Sequence, residues 1–112
     1  NMDGGDQAEV SDQGLLCSYS TKRKITEEEI QGYLNKDYSS YHFPGDRSVI
    51  QMIINEMYAL NGYKFQDEDL KNYYEKQDWY NKIESKTTDM AEIYRNMSKT
   101  EQDNIKLLKE YK

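Results

Sequence analysis

The chain has 112 residues, of which 21 are acidic and 15 basic, and a formal net charge of −6. This predicts a single domain and argues against nucleic-acid binding, because a nucleic-acid site needs a basic surface. Leu, Ile, Val and Phe supply only 19 residues, but there are 11 tyrosines, and a buried tyrosine removes on the order of 150–200 Å² from water, so we expect a thin, tyrosine-rich core with hydroxyls at its rim.

Residues 1–14 are polar and show no hydrophobic periodicity, which predicts an N-terminal tail or linker ahead of a domain at 15–112. Leu15, Leu16 and Cys17 are expected to dock an extended segment onto that domain. A single cysteine excludes an intrachain disulfide, and Cys17 is predicted to be a small buried hydrophobic residue. No run of the sequence approaches the ~18 apolar residues of a membrane span, so no direct membrane insertion is expected.

The first predicted helix spans about 27–35. Thr26 and Glu29 have the spacing of a capping box, and three acids suit the first turn. Gly32 weakens this helix by up to ~1 kcal/mol. Residues 36–46 then form a loop with an unusual share of aromatic side chains and a strong Pro-Gly turn signal.

The longest apolar stretch predicts a central, buried helix that begins after Asp46 as N-cap and ends at Leu60. Gly62 is expected just past its C-terminus, where glycine takes the left-handed conformation without strain. Tyr63 and Phe65 follow at once and are predicted to fold back over the helix.

The remaining elements are also helical. Asp67 is a natural N-cap for a helix that ends near Lys76, and Trp79 and Tyr80 are expected in the loop after it. Short helices are predicted at 89–96 and after the capping box of Ser98-Lys-Thr-Glu101. The predicted fold class is therefore all-α: a small single-domain bundle of four to five short helices with an extended N-terminal segment.

The sequence contains no clear catalytic or metal-binding set. One histidine, His42, and one cysteine make neither a nucleophile–base pair nor a zinc site, and the acidic run after Asp67 lacks the glycine and the spacing of a calcium loop. We expect no metal and no cofactor. Glu56 is the one acid on the apolar helix. If it is buried, it should be bonded to tyrosine hydroxyls, a helix terminus or a basic side chain.

Two groups of aromatic residues have the composition of a binding surface, because exposed Tyr and Trp side chains stack on sugars and anchor peptides. The first group is Tyr38, Tyr41, His42 and Phe43, and the second is Tyr63, Tyr74, Trp79 and Tyr80. The alternative is that both groups fill a core that is short of Leu and Val.

The stretch "NEMYALNGYKFQDEDLKNYYEKQDWY" resembles the motif of the YARHG domain family, Asn-Glu-x-Tyr-Ala-Arg-His-Gly-x-x-Phe, followed by an Asp-led helix and an aromatic pair. The matching residues are Asn55, Glu56, Tyr58, Ala59, Gly62, Phe65, Asp67, Leu70, Tyr73 or Tyr74, Trp79 and Tyr80. The flanks are similar too, so the resemblance spans about 15–112. The family's Arg and His are replaced here by Leu60 and Asn61. If the pair only closes a helix end, Leu and Asn can substitute for it.

The resemblance implies an extracellular, cell-envelope location on the outer face of the bacterial cytoplasmic membrane, often in lipoproteins or membrane-anchored chains, and a non-catalytic role. We therefore expect a module that binds a cell-wall glycan or peptide, or another envelope protein, with its oligomeric state open. The candidate ligand-binding residues are Glu56, Tyr58, Tyr63, Tyr74, Trp79 and Tyr80. The alternatives are a cell-wall hydrolase that uses Glu56 with a second carboxylate, and a structural domain that self-associates.

Overall fold

This computed structural model describes residues 14–112. Within this range the chain forms six α-helices and two 3₁₀ turns, and it contains no strand. The helices are α1 (Glu27–Leu34), α2 (Val49–Leu60), α3 (Glu68–Glu75), α4 (Asp78–Asn81), α5 (Met90–Asn96) and α6 (Lys99–Lys109), and the turns are Ser39–Tyr41 and Pro44–Asp46. The predicted all-α class is confirmed. The predicted tail at 1–14 lies almost wholly outside the described residues.

The helix starts follow the local sequence closely. The capping boxes of Thr26 with Glu29 and of Ser98 with Glu101 are both formed, so each pair satisfies two amides that the first helical turn leaves free. Asp67 caps α3 by accepting a hydrogen bond from the amide of Leu70 at 3.1 Å. These predictions are confirmed, because a cap needs only residues within one turn of it.

The predicted cap of α2 is wrong. Asp46 has a positive φ of 56° and ends the Pro44–Asp46 turn. Ser48 is the N-cap instead, and its Oγ accepts a hydrogen bond from the amide of Gln51 at 3.1 Å. The turn holds Asp46 in a left-handed conformation, and Arg47 is extended, so the helix can begin only at Val49.

Helix α2 is the centre of the domain. It packs mainly against α6 and α1, and nearly every side of it is covered. Its buried residues are Val49, Ile50, Met52, Ile53, Ile54, Asn55, Glu56, Met57 and Ala59. Gly62 has a φ of 89°, as predicted, and a Cβ there would approach the carbonyl oxygen of Ser85 to 3.0 Å. The chain therefore leaves α2 through a turn that requires glycine.

Trp79 and Tyr80 lie in the single-turn helix α4, so the prediction of a loop at these residues is wrong. The amide of Tyr80 donates to the carbonyl of Gln77 at 3.1 Å. This turn buries Tyr80 and leaves Trp79 partly buried. A four-residue helix has no measurable hydrophobic period. It forms because the tertiary contacts of its aromatic residues stabilise it.

Asn104 on α6 joins the chain ahead of α1 to the last helix. Its side-chain oxygen accepts from the amide of Ile25 at 2.9 Å, and its nitrogen donates to the carbonyls of Ser20 and Arg23, each at 2.9 Å. Asn104 is only 2% exposed. One amide side chain therefore satisfies three backbone groups that helix or sheet bonding does not reach.

We expect Asn104→Ala to lower the free energy of unfolding by about 3 kcal/mol or more, because three backbone groups lose their partner and buried unsatisfied groups cost roughly 1–3 kcal/mol each. Urea unfolding followed by circular dichroism measures this. The exposed Lys106→Ala on the same helix is the control and should change stability by less than about 0.5 kcal/mol. Equal effects of the two variants would contradict the assigned role of Asn104.

Candidate functional site

Most of the predicted ligand-binding aromatic residues meet in one cluster between α2, α3 and α4. The Phe65 ring stacks on Tyr74 with centroids 4.8 Å apart, and Tyr63 meets the edge of Phe65 at 4.9 Å. Trp79 lies 6.1 Å from Tyr74. The hydroxyl of Tyr80 donates to the carbonyl of Tyr63 at 2.6 Å. The structure thus brings together residues that the sequence grouped.

Burial determines what this cluster can do. Tyr74 is 2% exposed and Tyr80 3%, so neither ring presents a face to a ligand. Desolvation is also the main reason that the pKa of the Tyr74 hydroxyl is raised above its usual range. Tyr58, Tyr63 and Trp79 are partly buried and pack against the same core. In this arrangement the cluster covers the end of α2 and supports α3.

Glu56 is buried on α2 and holds the N-terminal segment. Its Oε2 accepts a hydrogen bond from the amide of Leu16 at 2.7 Å, and its Oε1 accepts one from Cys17 at 3.1 Å. The expected partners, which were a tyrosine hydroxyl, a helix terminus or a basic side chain, are therefore wrong. The sequence could not reveal this pairing, because the two partners are backbone groups about 40 residues away.

The position of Glu56 argues against the catalytic alternative. Glu56 is 4% exposed, and both of its oxygens are occupied by backbone amides. Burial raises the pKa of Glu56 to about 7, although the amides of Leu16 and Cys17 lower it. A raised pKa suits a general acid, but an acid that substrate cannot reach does not protonate it.

The positions that differ from the family motif close the end of α2. The Asn61 side chain donates to the carbonyl of Met57 at 2.8 Å and to Oε2 of Glu101 at 2.9 Å. Glu101 uses its other oxygen to cap α6 at Ser98. Leu60 is partly buried. Asn61 therefore ends one helix and ties it to the start of another, which is a structural role.

A concave surface lies elsewhere among the described residues, at the 35–48 loop. This cavity of about 460 Å³, here called the loop cleft, is formed by the end of α1, the loop itself and the start of α2. Its volume is typical of small-molecule sites. The lining residues are Tyr33, Leu34, Lys36, Tyr38, Ser39, His42, Phe43, Asp46, Arg47, Ser48 and Val49.

Aromatic rings form one side of the loop cleft. Tyr38 lies 4.9 Å from Tyr41 and 5.9 Å from Phe43, measured between ring centroids. Phe43 is buried, whereas Tyr41 is 47% exposed, and Leu34 is 43% exposed nearby. These two are the exposed large hydrophobic residues of the described chain. The loop thus holds an aromatic surface in contact with solvent, with Phe43 as its anchor.

The two basic side chains of the loop cleft, Lys36 and Arg47, contact neighbouring residues of the domain. Nζ of Lys36 lies 5.2 Å from the ring centre of Tyr38 and 5.9 Å from that of Tyr41, within the range of a cation–π contact. Arg47 donates to the carbonyl of Pro44 at 2.8 Å and forms an ion pair with Asp67 at 3.1 Å. The sequence indicated the aromatic part of this cleft but gave no sign that Lys36 and Arg47 join it.

The described residues contain neither a metal-ligand cluster nor a membrane-spanning helix. Within 14–112, no three His, Cys, Asp or Glu side chains come together as a metal site would require. None of the helices in this range is long and apolar enough to cross a membrane. Cys17 is buried as predicted, and burial raises the pKa of its thiol, which makes it a poor nucleophile.

The fold and the loop cleft define a small all-α domain with an aromatic surface depression. The chain belongs to the YARHG domain family, whose model matches residues 22–112. The resemblance seen in the sequence is thereby confirmed. The family is a typically extracellular one and is not an established enzyme family. Comparison with curated proteins and with solved structures gives no match.

The raised pKa of Glu56 predicts a pH-dependent stability. Because the folded-state value of about 7 exceeds the usual 4.5, the folded protein binds this proton more tightly than the unfolded chain does. The resulting stabilisation is complete below pH 4.5 and is lost as the pH rises to about 7. Relative to Glu56→Gln, the wild type should lose up to about 1.4 kcal/mol per pH unit in this range. Urea unfolding at a series of pH values measures the difference.

Glu29→Gln is the control for this experiment. Arg23, which donates to both oxygens of Glu29, is the main reason that the pKa of Glu29 is lowered to about 2. Its contribution to stability is therefore present above pH 4.5, where the Glu56 effect is measured, and is lost as the pH falls from 4.5 to about 2. A constant difference between wild type and Glu56→Gln over the same range would show that Glu56 is hydrated in the folded protein.

Proposed function

We propose that this domain is a non-catalytic, cell-envelope-associated module of a bacterial extracellular protein, located on the outer face of the cytoplasmic membrane. It binds a cell-wall glycan or peptide, or another envelope protein, through the loop cleft. The full chain is anchored as a lipoprotein or by a membrane segment outside the domain. Nucleic acid is not a partner, since the net charge is −6 and phosphate binding needs a basic surface.

The observation that carries this proposal is the exposed aromatic surface beside the loop cleft, where the ring of Tyr41 contacts the lining residue Tyr38. Tyr41 and Leu34 remain in water although the chain has few hydrophobic residues for its core. A tyrosine ring offers a large, rigid contact area with little loss of conformational entropy on binding. Such a surface beside a cavity of about 460 Å³ is the usual composition of a ligand site.

The non-catalytic part of the proposal rests on the position of the one unusual acid. Glu56 is buried away from the loop cleft lining and holds backbone amides. Hydrolysis of a wall polymer by two carboxylates needs both of them to face the substrate. The cleft itself brings Asp46 beside an arginine and several aromatic rings, which is a set for binding and not for acid–base chemistry.

We expect the purified domain to sediment with isolated cell-wall sacculi and to release no soluble fragments. Glu56→Gln should bind as well as the wild type, because Glu56 is remote from the ligand. Tyr41→Ala should reduce binding at least about fivefold, since an aromatic contact contributes on the order of 1 kcal/mol or more. Sedimentation with sacculi, followed by quantitation of bound protein and released sugar, measures all three.

Tyr111→Ala is the matched control, because Tyr111 lies at the C-terminal end, whereas the Tyr41 ring contacts the rings of Tyr38 and Phe43 that line the cleft. Equal loss of binding in Tyr41→Ala and Tyr111→Ala would remove the cleft from the proposal. Fragment release by the wild type but not by Glu56→Gln would make the domain a hydrolase. Absence of binding by every form would leave an envelope protein as the partner to be tested.

A further inference from the structure

A second cavity continues the loop cleft along α1. It has a volume of about 200 Å³ and is lined by Tyr19, Glu29, Gly32, Tyr33 and Tyr38. Tyr33 and Tyr38 also line the loop cleft, so the two cavities adjoin at these two rings. Together their linings contain three tyrosines, Tyr19, Tyr33 and Tyr38.

Gly32 lines the second cavity without placing a side chain in it. It lies inside α1, where glycine weakens a helix. Its φ is not positive, and a Cβ built there would meet no atom within 4 Å. Neither backbone conformation nor packing within the domain therefore requires glycine. Because Gly32 has no side chain, the space between Tyr19 and Tyr38 stays open.

Two ion pairs beside this surface are already formed within the domain. At one end Arg23 donates to both carboxylate oxygens of Glu29, at 3.1 and 2.7 Å. At the other end Arg47 pairs with Asp67. A ligand that used either arginine would have to displace its carboxylate partner. Lys36 and Asp46 also line the loop cleft, and most of the other lining groups are aromatic faces and hydroxyls, which both donate and accept hydrogen bonds.

We propose that the two cavities form one groove that binds a linear glycan, with successive sugar rings on either side of Tyr33 and Tyr38. This rests on the proposed binding function and names its ligand. Sugar rings combine apolar faces, which pack on aromatic rings, with hydroxyls and little charge, and this matches the groove. An extended peptide is a poorer fit, because among residues 14–112 there is no strand edge for it to pair with.

The Gly32→Gln variant tests whether the second cavity takes part in binding, as distinct from binding at the loop cleft alone. Glutamine fills the space above Gly32 and favours the helix, so the variant should fold with an unchanged or higher melting temperature. The probes are β-1,4-linked N-acetylglucosamine oligomers of increasing length and peptide-free wall glycan strands, titrated into the labelled domain by NMR. Wild-type affinity should rise at least about tenfold from the monomer to oligomers that span both cavities.

Gly32→Gln should bind the shortest oligomers like the wild type but lose the gain with length. Gly32→Ala, which adds one methyl group, is the matched control and should retain most of that gain. Shifted resonances should include Tyr38 and Tyr41.

If intact sacculi bind but neither glycan probe does, the glycan proposal is overturned while the binding function stands. If Gly32→Gln and the wild type gain equally with length, the second cavity is not part of the site. If neither sacculi nor glycans bind, the glycan proposal fails together with the wall-binding part of the proposed function, and only binding of an envelope protein remains.

Discussion

The burial of α2 on nearly every side is the constraint on which the rest of this domain depends. The chain has few aliphatic residues, and this helix concentrates seven of them, counting its methionines but not Ala59, within Val49–Leu60. Each side of α2 must then be covered by a different segment. Helices α1 and α6 cover two of them, and the aromatic cluster around Phe65 covers the end. The N-terminal segment covers another through buried Cys17.

Burial of the same helix also determines the polar contacts of the core. Asn55 and Glu56 lie on α2 and are 5% and 4% exposed, so each needs an internal partner. Asn55 bonds to Gln51 at 3.1 Å, and Glu56 bonds to the Leu16 and Cys17 amides. Tyr33 completes the attachment by donating to the carbonyl of Leu16 at 3.0 Å. The polar atoms of the helix therefore specify where the N-terminal segment docks.

Two sets of tyrosines have different roles in this domain. Those after α2 compensate for missing aliphatic residues, and the hydroxyl of Tyr80 reaches the backbone carbonyl of Tyr63 at the rim of the core. Those of α1 and the 35–48 loop remain partly in water around two cavities. The second set is held by a short 3₁₀ turn and by buried Phe43, which gives an exposed loop a fixed shape. A rigid aromatic surface of this kind loses little entropy on binding.

The sequence by itself determined the helices other than α4, the caps of α1, α3 and α6, and the end of α2, because a cap, a left-handed glycine or an apolar period involves residues within a turn or two of one another. It also identified the family motif and the aromatic residues of the loop. Tertiary structure alone decided that Ser48 and not Asp46 starts α2, that α4 forms, and that Glu56 and Asn104 bond to backbone groups of the N-terminal segment. It also decided which tyrosines are buried and which line a cavity. The physical reason is that burial and backbone satisfaction depend on which distant segments come into contact, and local propensity does not specify those contacts.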